Sequence, residues 1–439
     1  MLTNILYDML LIYTHKITPR FTYIMKQVFT RMLQIEVGFT TKIEDFIRHT
    51  GPKITYTKQP LQNEFFVRSH TLLFEQGVRN MNLAIGKWDD LPCFFPTGER
   101  SNLPYDIFAA SFYLLSRYEE YFPHVKDLVG RFPLKESLAY EHDFLKLPVV
   151  DLWAQKMLNI LQERFPSLNA ASKPVRNTSV IDVPVSHSFA HRGFFRTGIG
   201  MLLDLFSLRF RRVSQRLAVL LNLRKDPYDN FQELIGIHKR HKLPAIFFFQ
   251  FAQYSRYDKN ISTENNRFKY LIKSVADYDA VALAASYSSF ANMEMLKEEK
   301  ENLSNVINRP VNFVRLRYNR VDVPETYRNL AAAEFTDDYS MGYTHEMGFK
   351  AGTCTSFYFY DIPQEVQQPV KIHPFAVHDY ALLKCNSEEE IFEKLDELHD
   401  VVKEVGGHFI TVFSNELLGA EGKINWLQLY AKMIERYYV

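Results

Sequence analysis

The chain has 439 residues, too many for one ordinary core, and its length predicts two domains. Its 52 lysines and arginines nearly balance 51 aspartates and glutamates, so no global basic field is available to hold nucleic acid or an anionic membrane. Cys93, Cys354 and Cys385 are scattered without CxxC spacing, which argues against a disulfide framework and a cysteine-rich zinc site and makes a reducing cytoplasm the expected compartment.

In chain order, the apolar segment 9–13 follows Asp8 with no basic stretch before it, a poor signal peptide. No run of about 18 apolar residues predicts a transmembrane helix. Segments 53–57 and 65–68 alternate like strands, and 107–122 has apolar residues at helical spacing, so the first part is mixed α and β. The stretch 164–174 carries two prolines and small polar residues, and a boundary there gives domains 1–170 and 171–439. Beyond it, apolar runs alternate with helical ones: 179–183 then 201–222, 245–249 then 264–276, 280–284 then 290–306, 311–315 then 324–333. A mixed-charge helix over 388–405 and a strand over 409–413 close the series. The alternation predicts parallel strands with crossover helices. Nucleophile-elbow, Walker and dinucleotide-binding strings are absent from the sequence.

Aromatic residues are 15% of the chain, with 36 Phe and 25 Tyr against three Trp. Such rings stack on the apolar faces of sugars, but core packing is the favoured use for most of them. A basic, amphipathic helix over 199–223 carries Arg209, Arg211, Arg212 and Arg216 among leucines. Interfacial membrane binding and packing of the apolar face on the fold both suit that pattern. Packing is favoured, and membrane association is not expected.

Longer strings carry a family likeness. They are 105–121 (YDIFAASFYLLSRYEEY), Gly130-Arg-Phe132, 136–140 (ESLAY) and 148–153 (PVVDLW) in the first part. In the second they are 225–229 (KDPYD), 257–262 (YDKNIS), 309–311 (RPV), 338–343 (DYSMGY) and 348–353 (GFKAGT). The chain resembles polysaccharide deacetylases of Bacteroidetes-type bacteria, NodB-like carbohydrate esterases that carry an N-terminal domain of their own. The resemblance implies an α/β fold, an irregular (β/α)7-type barrel preceded by a mixed α+β domain, with functional side chains at the C-terminal ends of the strands.

The family's mechanism, as the resemblance implies it, uses an Asp and two His on a divalent metal, a second Asp as base and a further His as acid. In the matching positions Asp182 stands at the base, but Pro184 replaces the metal Asp. Ala284, in Leu283-Ala-Ala-Ser-Tyr287, and Arg317, in Arg315-Leu-Arg317, replace the two metal histidines. Ser414, in Phe413-Ser-Asn415, replaces the acid. The implied site therefore lacks its metal, with Asp182 and Arg315 as catalytic remnants and Tyr287, Arg317, Asp338, Tyr339 and Asn415 as substrate-binding candidates. Arg317 in the old pocket could hold a carboxylate, phosphate or acidic sugar, or pair with Asp182.

One arrangement would restore a metal: if 187–191 is helical, His187 and His191 share a face and could join Asp182 around zinc or another divalent ion. The expected function is that of an inactive deacetylase-like protein, a glycan-binding or regulatory partner in cell-surface polysaccharide metabolism. An active deacetylase with a relocated metal and a purely structural interaction protein are the alternatives. The expected partners are a carbohydrate or lipid-linked glycan precursor and a protein of polysaccharide synthesis, without nucleic acid.

Overall fold

The computed structural model describes residues 9–168, 170, 173–243 and 245–438. The first eight residues of the N-terminal segment and residue 171, at the expected boundary, lie outside the described residues. The first sheet is parallel, in the order β2-β1-β3-β4, with β1 Leu10–Thr14, β2 Val37–Thr40, β3 Lys53–Thr57 and β4 Phe65–Arg68. A short antiparallel hairpin, β5 Gly86–Trp88 with β6 Leu91–Cys93, stands apart from it. Helix Ile107–Leu115 is apolar on every side and buried throughout, as such a helix must be. Asp106 caps it through the N–H groups of Phe108 and Ala109, and also accepts the Tyr56 hydroxyl and the N–H of His70. Burial pushes the Asp106 carboxyl up to about 6 even with those donors.

The second sheet has nine strands in the order β12-β13-β11-β10-β9-β8-β7-β15-β14. They are β7 Arg176–Val183, β8 Ala245–Phe249, β9 Ala280–Ala285, β10 Phe313–Leu316, β11 Asp337–Asp338, β12 Phe357–Asp361, β13 Val366–Ile372, β14 Val377–His378 and β15 His408–Ser414. Only β12 runs antiparallel, against β13; the other ladders are parallel. The helices Asn266–Ala276, Met293–Ile307, Glu325–Ala332 and Glu388–Glu404 fall where periodicity predicts them. The central parallel strands β8, β9 and β15 are buried on both faces over most of their length, which is why they read as apolar runs. Along β7 and β8, Ile181, Val183, Phe247 and Phe249 join the main core, while Val180, Ile246 and Phe248 face a second cluster with Ala284, Phe375 and Val412.

One length of chain touches both flanks of this sheet. Segment 366–378 pairs with β11 as β13 and with β15 as β14. Between these ladders His373 N donates to Asp338 O at 2.8 Å, Phe375 N to Met341 O at 3.0 Å and Ala376 N to Ile410 O at 3.0 Å. No ladder among the described residues joins β12 to β14, so the strand order is that of an open sheet.

Two expectations about elements change. The single helix over 201–222 is a hairpin of two helices, Phe194–Phe206 and Phe210–Leu220, broken where Leu208 takes a positive φ of 55°. Its apolar face does not pack on the fold: Phe195, Phe206 and Leu221 are 90%, 84% and 66% exposed. Among the described residues no helix is long and apolar enough to cross a membrane.

Several strings that carry the family likeness do packing work between the two sheets. Buried Arg117 pairs with Glu119 at 2.6 Å and Glu120 at 2.9 Å, and Lys350 Nζ reaches Glu120 at 3.1 Å. Asp151 accepts from the hydroxyl of Thr353 at 2.6 Å and the N–H of Cys354 at 3.1 Å. Gly348, at φ 135°, lies so close to Leu145 O that a Cβ would sit 2.4 Å from it, so only glycine fits there.

Candidate functional site

The C-terminal ends of β7, β9, β10 and β15 bring the matched positions together. Asp182 lies opposite Ser414 on one side and Phe248 on the other, and Ala284 lies opposite Arg315. The carboxylate of Asp182 is 17% exposed and stands 3.6 Å from Nε of Arg315, an ion pair rather than a hydrogen bond. Arg315 Nη1 donates to Tyr339 O at 2.6 Å, and its guanidinium lies 4.8 Å above the ring of Phe375. Burial pulls the pKa of Arg315 down, and the carboxylates of Asp182, Asp338 and Asp379 oppose that pull.

Arg317 was the expected partner of Asp182, and the structure gives that place to Arg315. Strand β10 ends at Leu316, and Arg317 opens a tight turn in which Tyr318 takes a φ of 61°. The strand's alternation stops there, so two residues of separation no longer mean one face. Arg317 lies 4.6 Å over the Tyr318 ring, and its buried Nε has no hydrogen-bond partner among the described residues. Its charge reaches Glu416, whose carboxyl is raised by burial, lowered by Arg317, raised by Asp182 and Asp379, and lowered by Arg192. Glu416 and Asp379 escaped the sequence reading because nothing about their spacing marks them.

The other matched positions are built into the wall. Pro184 follows β7 in a bend, and Ala284 is buried in the inner cluster. Ser414 caps the short helix Asn415–Leu418, accepting from Leu417 N at 3.2 Å while donating to Asp379. Asn415 is fully buried, with its amide donating to Val185 O and Tyr228 O at 3.0 Å each. Asp338 is fully buried too, and burial raises its carboxyl to about 6 against hydrogen bonds from Ser340. Tyr339 stacks on His373 with centroids 4.5 Å apart inside the sheet's inner cluster.

Tyr287 stands higher, on a rim of rings. Its centroid is 4.2 Å from that of Tyr257 and 6.0 Å from that of Tyr318, and the Arg320 guanidinium lies 4.8 Å over it. Tyr257 belongs to the string 257–262, and the next residue holds the rim in place. Asp258 accepts from Tyr287 N at 2.9 Å and from the Ser255 hydroxyl at 2.8 Å. The structure thus joins Asp182 with Arg315, sets Arg317 and Tyr287 at the rim, and buries Asp338, Tyr339 and Asn415.

The donor set does not suit a divalent ion. Among the described residues no three His, Cys, Asp or Glu side chains gather with metal-ligand spacing. His187 and His191 have ring centroids 5.1 Å apart, but 186–192 is a chain of bends and turns, not a helix, and does not gather them with Asp182. Asp226, from the string 225–229, fixes that loop. Its carboxylate accepts from the N–H groups of Ser188, Phe189, Ala190 and Tyr228 at 2.8 to 3.0 Å.

With the geometry in place, comparison with known proteins gives the following likenesses. A family described as one of unknown function, DUF7033, matches residues 10–166. No curated protein matches the chain. A polysaccharide deacetylase structure from Mycobacterium smegmatis is similar with a TM-score of 0.41 and 13% identity, over 60% of this chain and 84% of that one. An allantoinase is similar at 0.39 and 12%, over 61% and 88%. A mutant of a CE4 family pseudoenzyme with restored enzymatic activity is similar at 0.28 and 11%, over 61% and 63%.

Proposed function

We propose that this chain is a polysaccharide-deacetylase-like protein without a hydrolytic metal centre, which binds a glycan at the C-terminal ends of its strands. In this reading it serves as a binding or regulatory partner in cell-surface polysaccharide metabolism. The observation that carries it is the wall around the Asp182–Arg315 pair, where the matched positions offer no metal ligand: Ala284 is buried in the inner cluster and the Ser414 hydroxyl is held by Asp379. Deacetylation by a metal needs an open coordination position that polarises the carbonyl and lowers the pKa of a water. A guanidinium brings charge without such a position, so the pocket keeps an electrostatic frame and loses the means to activate water.

Two further observations favour a glycan at this face. Tyr257, Tyr287 and Tyr318 form a ring platform suited to the apolar face of a pyranose, and Arg317 with Glu416 beside it offers polar groups for hydroxyl or acidic substituents. We read the nine-stranded sheet as an irregular (β/α)7-type barrel, because segment 366–378 reaches both of its flanks, and we take 1–170 and 171–439 as the two domains. A lipid-linked precursor inside the cell is the ligand we favour, since all three cysteines are free and buried.

The test combines elemental analysis of the untagged protein with calorimetric titration of N-acetylated oligosaccharides. Metal well below one equivalent together with saturable glycan binding is the expected result. One tightly held ion per chain, lost in an Asp182→Asn variant, would overturn the reading.

A further inference from the structure

The hairpin of Phe194–Phe206 and Phe210–Leu220 is inside out. Its inner contact is an ion pair, Asp204 with Arg216 at 2.6 Å, both about 5% exposed. The guanidinium of Arg216 lies 4.9 Å over the ring of Phe189 and close against Gly200, where a Cβ would stand 2.9 Å from it. The outer surface is apolar. Phe195, Ile199, Leu202 and Phe206 recur at helical spacing along the first helix, and Phe210 and Leu217 continue the patch on the second; all six are exposed. Soluble surfaces rarely leave so many large apolar side chains contiguous and open to water.

Cations border this patch. Arg209, Arg211, Arg212 and Arg224 line a cavity of about 510 Å³ that also reaches Tyr228 and Glu416. Glu421 answers Arg211 at 2.8 Å and also meets Arg224, but among the described residues Arg209 has no acidic partner within ion-pair distance. Residues 194–224 carry six arginines and one aspartate.

We propose that this hairpin docks on a lipid bilayer bearing anionic phosphate headgroups, with its outer face in the acyl boundary and the bordering arginines at headgroup level. Charge complementarity selects this occupant. A second copy seated face to face would bring two sets of arginines together, whereas an anionic bilayer offsets them. Helices of 13 and 11 residues are too short to span a membrane, so they lie in its plane. The inference rests on the hairpin's own surface and holds whether or not the strand ends take a glycan.

The test is flotation of the full chain with vesicles of phosphatidylcholine alone and of phosphatidylcholine with phosphatidylglycerol, at low and high salt. The wild type is expected to float with the anionic vesicles and to be released by salt. A Phe195→Asp/Phe206→Asp/Leu221→Asp variant, altered only at exposed positions, is expected to lose flotation while keeping its melting temperature. An Arg209→Gln/Arg211→Gln variant is expected to bind anionic vesicles about tenfold more weakly. No flotation of the wild type overturns the proposal, as does equal binding to both vesicle types. So does a wild-type dimer that the triple variant splits without any vesicle binding, which would assign the face to a second copy. Loss of glycan binding with flotation intact would count against the proposed function alone.

Discussion

Ser414 directs both its hydroxyl and its backbone N–H at one oxygen of Asp379, at 2.7 and 2.6 Å. Asp379 is fully buried, so these donors stand in for the water it has lost. Ser414→Ala removes the hydroxyl and leaves the carboxylate under-satisfied. The unfolding free energy in urea is expected to fall by about 1–3 kcal/mol. A change of a few tenths would mean that the backbone donor suffices.

The pair of Asp182 and Arg315 predicts strong coupling. Asp182→Asn leaves a buried guanidinium with the Tyr339 carbonyl and the charges of Asp338 and Asp379 but without its ion-pair partner, and a loss of about 3 kcal/mol is expected. Adding Arg315→Met removes the stranded charge and is expected to recover most of that loss. A double-mutant cycle by chemical denaturation measures this, and additive single effects would show that the two groups do not interact.

Glycan binding, where it occurs, should run through the rim. Tyr287→Ala and Tyr257→Ala each remove one ring of a pair at 4.2 Å, and each is expected to weaken oligosaccharide binding by about tenfold. Calorimetric titration separates this from a folding defect, since the Tyr257 ring is 39% exposed and contributes little to the core.

Loop 186–192 depends on one carboxylate. Asp226→Ala strands four N–H groups, so the loop should open and become the first site of limited proteolysis, whereas Asp226→Asn keeps an acceptor and should protect it partly. Mass analysis of early fragments checks the position of the cut.

Glu299 links stability to pH. Burial raises its carboxyl to about 7, against hydrogen bonds from Ser286 and Ser289. The folded chain therefore keeps a proton that the unfolded chain releases near the usual glutamate value. This group's contribution is full below about pH 4.5 and is lost as pH rises through 7. Relative to Glu299→Gln, which does not titrate, the wild type should accordingly lose stability from pH 5 to pH 8 in denaturation midpoints. A difference that is constant with pH would place the titration elsewhere.

Much of the second sheet was legible because its strands are buried on both faces; 245–249, five apolar residues in a row, is β8. Strand β13 was not, since VQQPVKI is mostly polar and holds Pro369. That proline sits where the pairing with β12 shifts register, a place set by the partner strand and invisible in the segment itself. At the site, alignment to strand ends brought the right neighbourhood but not the side-chain directions. Whether Arg315 or Arg317 meets Asp182 depends on where β10 stops, and that is decided by a turn at Tyr318. The hairpin teaches the same lesson about sign: periodicity shows that a helix has two faces, and only the Asp204–Arg216 contact shows which one is turned inward. Asp226 and Asp258 lay within strings already singled out, yet their part in ordering loops follows from backbone N–H groups that a sequence does not place.

Segment 366–378 makes the two flanks of the nine-stranded sheet share a fate. Its amides at His373 and Phe375 bond to the carbonyls of Asp338 and Met341, and its amide at Ala376 bonds to that of Ile410, far from both in sequence. Neither flank can release this length of chain without slackening the other, so hydrogen exchange along it belongs to one cooperative opening. A single cut between 373 and 376 would let both edges fray together.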